Sequence, residues 1–168
     1  MRLFLFSLVL FCSQAVAAAE KAKFVQTPYQ EPKVVFDFYF DDPQKIHSAL
    51  YWIRSLINPL SEEPCGYAPE FVKIVGCVHG TEIVTLVKHN YQKYKEAVER
   101  MRYYAQLGVE FKICGLAAGD YGYRQSDFQE FVQIVPSAIP ELVHWQQQGY
   151  AVIAPNIMEK KFAIEEIR

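Results

Sequence analysis

Two hydrophobic rhythms alternate along the chain. Five short runs are apolar at nearly every position: KVVFDFYF at 33–40, FVKIVGCVHG at 71–80, VEFKIC at 109–114, FVQIV at 131–135 and YAVIAP at 150–155. They are rich in β-branched and aromatic residues, and the near-continuous runs predict strands buried on both faces. Between them apolar residues recur at three- and four-residue spacing. Ile46, Ala49, Leu50, Ile53, Leu56 and Ile57 make one such stripe; Tyr94, Ala97, Val98, Met101, Tyr104 and Ala105 make another. Each predicts a helix with one face turned to a core.

The residues between the runs punctuate these elements. Asp41, Asp42 and Pro43 open the first helix in the manner of an acidic cap with proline in the first turn, and Pro59 is expected to end it. SEEPCGYAPE at 61–70 reads as a loop. Thr81 is expected to cap a helix over TEIVTLVKHN, and a longer one follows over 91–107, ended by Gly108. Small residues at 115–128 predict a loop with a short helix, and a last helix over 137–149 runs from Ser137 to Gly149. Residues 20–32 are an extended lead-in and 156–168 a charged tail. Strand and helix alternate throughout. The expected fold is therefore a single α/β domain over 33–155: three layers, with a mostly parallel five-stranded sheet and helices on both faces.

The start of the chain changes the picture of where this domain works. Arg2, the apolar stretch LFLFSLVLFC at 3–12 and the small residues AVAAAE at 15–20 have the form of a secretory signal, expected to be removed over 1–19. The apolar stretch is short for a membrane span, so the expectation is a soluble exported protein, periplasmic, with no membrane attachment after cleavage. Loss of Arg2 leaves 16 basic against 19 acidic residues, moving the formal charge from −2 to −3. That balance argues against a nucleic-acid partner. There is no Gly-x-Ser-x-Gly elbow, phosphate-cradling glycine loop or dinucleotide fingerprint, so hydrolase, nucleotide-dependent and dehydrogenase readings lack support.

Cysteine use is more specific. Cys12 leaves with the signal, and Cys65, Cys77 and Cys114 remain, an odd number. In an oxidising compartment at least one thiol then stays free or pairs between chains. Cys114 closes the third strand and precedes the small residues Gly115, Ala117, Ala118 and Gly119. In parallel sheets ligands gather at the carboxyl ends of strands, and a cysteine there can be activated by backbone N–H groups. The plainer reading is a small buried residue at a strand end. His79, at the end of the second strand, is a candidate support for Cys114, as is Cys77. Cys77, His79 and Cys114 would also supply three metal ligands, but their spacing matches no zinc pattern and no fourth ligand is evident, so no metal is assigned. Cys65 lies in the 61–70 loop and is a candidate disulfide partner for Cys114 or Cys77, which would make the protein a binding or structural module with its thiols locked. Asp37, Asp41 and Asp42 sit near the end of the first strand and so near the same cleft, while Trp52 and Trp145 are expected in the core.

The ordered set KVVFDFYFDDP, VKIVGCVHG, GVEFKICGLAAGDYG and VPSAIPELVHWQQQGYAVIAP resembles the DsrE/DsrF-like proteins, small α/β proteins of sulfur relay and sulfur oxidation, over about residues 33–155. The resemblance implies a persulfide carried on the strand-end cysteine, here Cys114. It also implies oligomers, a sulfur-donor or acceptor protein as partner, and no organic cofactor. Two features depart from the family. Its best-described relay members are cytoplasmic, and the helix after the cysteine often carries a basic residue where this chain has Asp120, with Arg124 only later.

Overall fold

The computed structural model describes residues 21–168, so the expected signal segment lies outside the described residues. Five strands, β1 (Lys33–Phe38), β2 (Lys73–Val78), β3 (Glu110–Cys114), β4 (Val132–Val135) and β5 (Ala151–Ile153), form one sheet in the order β4-β3-β2-β1-β5, every pair parallel. The helices are α1 (Ile46–Ser61), α2 (Tyr91–Gln106), α3 (Gly115–Asp120), α4 (Ala138–Gln147) and a short α5 (Ile164–Ile167) in the tail. The fold is α/β with helices on both faces. Gly108 and Gly149 follow α2 and α4 with φ of 92° and 83°, as expected of helix-ending glycines. Among the described residues no helix is long and apolar enough to cross a membrane.

Alternation along the strands divides the core unequally, because successive side chains leave a strand on opposite faces. Val34, Phe36 and Phe38 of β1, Ile74 and Val78 of β2, and Phe111 and Ile113 of β3 meet the buried stripes of α1 and α2. Gly76 lies on this face between two phenylalanines, where a Cβ would come within 3.1 Å of Phe38 and 3.2 Å of Phe111. The opposite face has a much smaller apolar cluster: Val35, Val75, Cys77 and Cys114 beneath Ala138 and Leu142 of α4. One face carries most of the hydrophobic stabilisation, and the other has room for polar side chains.

Several local expectations are corrected. Residues 81–90 form two 3₁₀ segments, 81–86 and 88–90, instead of an α-helix. Thr81 does not cap them; its hydroxyl donates to the Phe40 carbonyl at 2.9 Å. Pro59 lies inside α1, which continues to Ser61. Pro59 lacks the N–H that would bond the carbonyl four residues back, yet the helix runs two residues beyond it. Asp42 caps the 3₁₀ turn 43–45 that leads into α1, accepting from the Gln44 N–H at 2.8 Å. Trp52 is 39 % exposed, lining a surface hollow with Phe36 and Ile153, and is not a core residue. Trp145 does pack on the smaller cluster.

The unequal faces predict unequal costs. Phe111→Ala, on the heavily packed face, should lower unfolding free energy by about 3–5 kcal/mol in urea titration. Val152→Ala, on the edge strand β5 and 41 % exposed, should change it by less than about 0.5 kcal/mol. Similar losses for both would contradict this division.

Candidate functional site

The lightly covered face presents two rows of side chains across the central strands. Register pairs Asp37 with Cys77, Cys77 with Lys112, and Lys112 with Gln133, so these four residues cross β1, β2, β3 and β4 at one level. Two residues further toward the carboxyl edge, the same register brings Tyr39, His79 and Cys114 abreast. The His79 N–H still donates to the Phe38 carbonyl at 3.0 Å, so the pairing of β1 and β2 extends past the last strand residue. The two rows are joined by a 2.6 Å contact between His79 Nε2 and Asp37 Oδ1. The Tyr39 ring stacks on the imidazole with centroids 4.9 Å apart. His79 is therefore fixed on two sides, by a carboxylate from below and an aromatic ring from beside.

Cys114 is the last residue of β3 and the N-cap of α3. It is 6 % exposed, and its Sγ accepts from the Ala117 N–H at 3.5 Å. Gly115 is needed for this placement. A Cβ there would lie 2.9 Å from the Val135 carbonyl at the end of β4, and Leu116 N–H donates to the Pro136 carbonyl at 3.3 Å. The space freed by Gly115 is thus filled by the end of β4 and not by an approaching ligand.

A buried carboxylate holds the edge together, and sequence reasoning misses it. Glu82 is fully buried. Its Oε1 accepts from the N–H groups of Gly80 at 2.8 Å and His79 at 3.1 Å, and its Oε2 accepts from Phe40 N–H at 3.0 Å. It ties the ends of β1 and β2 where their ladder stops. Gly80 makes this approach possible: a Cβ would stand 2.4 Å from Phe40 N and 2.6 Å from Glu82 Oε2. Burial pushes the Glu82 carboxyl above its ordinary pKa, while the three backbone N–H groups pull against that shift. In the sequence Glu82 reads as a first-turn helix residue; only the failure of 81–90 to be helical reveals its inward turn.

Beside His79 opens a cavity of about 390 Å³, lined by Tyr39, Asp41, His79, Thr81, Ala117, Asp120 and Tyr121 among others. Ala117, whose N–H holds the Cys114 sulfur, belongs to its wall. Larger hollows exist, notably one of about 1090 Å³ between α1 and α2, but that one holds none of these groups.

Of the residues singled out from sequence, His79 and Cys114 come to one level, with Asp37 bound to His79. Cys77 sits one row deeper, fully buried. Its thiol is pushed up to about 12, chiefly by burial and further by the negative charges of Glu141 and Asp37; it stays a protonated packing residue. Cys65 lies after α1, at the edge where strands enter the sheet, near Gln26. Cys65, Cys77 and Cys114 are all free thiols. The disulfide alternative is thus not formed here, since Cys65 stands at the opposite end of the strands from Cys114. Asp41 pairs with Lys45 at 2.6 Å, and Asp42 serves the 3₁₀ turn. Among the described residues no group of three His, Cys, Asp or Glu side chains is arranged to hold a metal ion.

The sequence profile of the DsrE/DsrF-like family matches residues 33–155. The fold is similar to that of a protein of unknown function from Methanobacterium thermoautotrophicum, with TM-score 0.59 and 23% identity over 74% of this chain and 99% of that one. A conserved protein of unknown function from Bacteroides thetaiotaomicron is also similar, with TM-score 0.50 and 13% identity over 73% of this chain and 94% of that one. No functionally curated protein matches.

Two outcomes follow from this geometry. Glu82→Ala should cost about 2–4 kcal/mol in chemical denaturation, because it leaves the Phe40 and Gly80 N–H groups without a partner and the His79 N–H with the Phe38 carbonyl alone, and Glu82→Gln should cost less because its carbonyl still accepts from the backbone. A loss within experimental error for Glu82→Ala would contradict the clamp. Cys77 should resist alkylation at pH 8 in the folded protein and react once the chain is unfolded, read by peptide mass; native labelling of Cys77 would contradict its burial.

Proposed function

Because the chain belongs to the DsrE/DsrF-like family, we propose that it is a sulfur carrier that holds a persulfide on Cys114 and passes the outer sulfur to a partner thiol. The observation that supports this most is the place of Cys114: at the carboxyl end of a central strand, capping α3, abreast of a His79–Asp37 pair and behind the wall of a cavity.

The chemistry is thiol exchange. The Cys114 thiolate attacks the outer sulfur of a donor persulfide. The donor's S–S bond breaks, a new one forms on Cys114, and the donor leaves as a thiol. A partner thiolate then attacks the outer sulfur on Cys114 and takes it, restoring the Cys114 thiolate. No electrons are gained or lost overall, so the step needs no redox cofactor. Asp37 holds Nε2 of His79, and Nδ1 serves as the site where the proton of the incoming or departing thiol is exchanged. The Ala117 N–H supports negative charge on sulfur. The reading keeps export, from the pattern of residues 1–19, and assembly into oligomers with a donor or acceptor protein as partner, from the family.

Intact mass after exposure to an organic persulfide tests the proposal. One added sulfur atom, removed by reductant and missing in Cys114→Ala, is expected. Absence of any adduct on protein whose thiols are titrated as free would overturn it and leave a non-catalytic binding module of the same fold.

A further inference from the structure

We infer that the cavity beside His79, whose Ala117 wall separates it from the buried Cys114 sulfur, selects the sulfur partner of Cys114 by charge, admitting a cysteine borne on a basic protein segment and disfavouring small anionic sulfur species; this rests on the carrier reading above. The wall contains two carboxylates, Asp41 and Asp120, and no lysine or arginine. Its one basic group, His79, is already bound to Asp37. Asp41 is matched by Lys45 at 2.6 Å, whereas Asp120, exposed at the end of α3, has no cationic partner among the described residues. The other cations nearby are committed elsewhere. Lys112 lies one row deeper, bound to Glu110 at 2.7 Å and Gln133 at 2.5 Å. Arg124 lines a separate hollow with Lys88 and Glu130.

The mouth is therefore net negative and walled by two tyrosines, Tyr39 at 69 % and Tyr121 at 44 % exposure. A wall of aromatic rings and carboxylates suits a cationic group. An anion such as thiosulfate or a polysulfide would meet Asp120 with nothing to neutralise it. At about 390 Å³ the space suits a cysteine side chain and its flanking residues. The occupant that fits is the cysteine of a partner protein with lysine or arginine beside it.

A pair of thiol reagents differing mainly in charge tests this without requiring a persulfide. Trimethylammonioethyl and sulfonatoethyl methanethiosulfonate each place a mixed disulfide on a thiolate and release methanesulfinate. Their rates at Cys114 are measured in the full mature chain carrying Cys65→Ala, at low salt, and compared with their rates at N-acetylcysteinamide. The cationic reagent should be favoured by about tenfold beyond the ratio at the free thiol. The preference should fade as salt is added, and Asp120→Lys should bring it close to the free-thiol ratio. A ratio equal to that of the free thiol and unmoved by Asp120→Lys overturns the inference, as does failure of the cationic reagent to reach Cys114 in the folded protein. Charge preference without any persulfide adduct would instead defeat the carrier reading and leave the selectivity standing.

Discussion

The site depends on the lateral register of β1, β2 and β3. That register sets Asp37 beside Cys77 and Cys77 beside Lys112, and so carries Tyr39, His79 and Cys114 to one level at the carboxyl edge. A slip of one residue in either pairing would turn the whole set of side chains to the other face. The register is held from the far side of the sheet, where Phe36, Phe38, Phe111 and Ile113 lock against α1 and α2. The packing that stabilises the fold and the chemistry proposed for it thus occupy opposite faces of the same three strands. Polar residues such as Lys112 are tolerated on the thinner face because each finds partners there: Glu110, Gln133 and the ring of Trp145.

At the carboxyl edge the ladder ends, and something must satisfy the backbone groups it leaves. Glu82 does this for Phe40 and Gly80, and shares the His79 N–H with the Phe38 carbonyl. The same carboxylate that closes the edge therefore fixes the backbone from which His79 projects. On the neighbouring strand Gly115 has a comparable role, letting the start of α3 close on the end of β4 with Cys114 as its cap. Two close backbone approaches, each requiring the absence of a side chain, frame His79 and Cys114.

Much of this is legible in the sequence because strands buried on both faces and helices with apolar stripes leave strong periodic signals. The stripes from Ile46 to Ile57 and from Tyr94 to Tyr104 lie where their spacing puts them, and Cys114 and His79 both end central strands. The misreadings have local causes. Segment 81–90 opens with Thr81 in a cap position and so reads as a helix, but five of its ten residues are β-branched and Glu82 is drawn inward by backbone N–H donors, which holds it in 3₁₀ turns. Asp37 reads only as one acid near a strand end, since its pairing with His79 comes from residues 42 positions apart. Cys65 reads as a partner for Cys114 because a loop can go anywhere in a sequence; α1 carries it to the other end of the sheet.

The central claim is that Cys114 and the His79–Asp37 pair act as one unit. It is tested most directly by the rate at which a neutral reagent, iodoacetamide, alkylates Cys114 at neutral pH, compared between the Cys65→Ala protein and the same protein carrying His79→Ala or Asp37→Asn, with folding checked by thermal unfolding. The account predicts that the rate falls several-fold when His79 is removed and falls less when Asp37 is neutralised. Equal rates in all three folded proteins would contradict it and leave Cys114 a strand-end residue with no working partner.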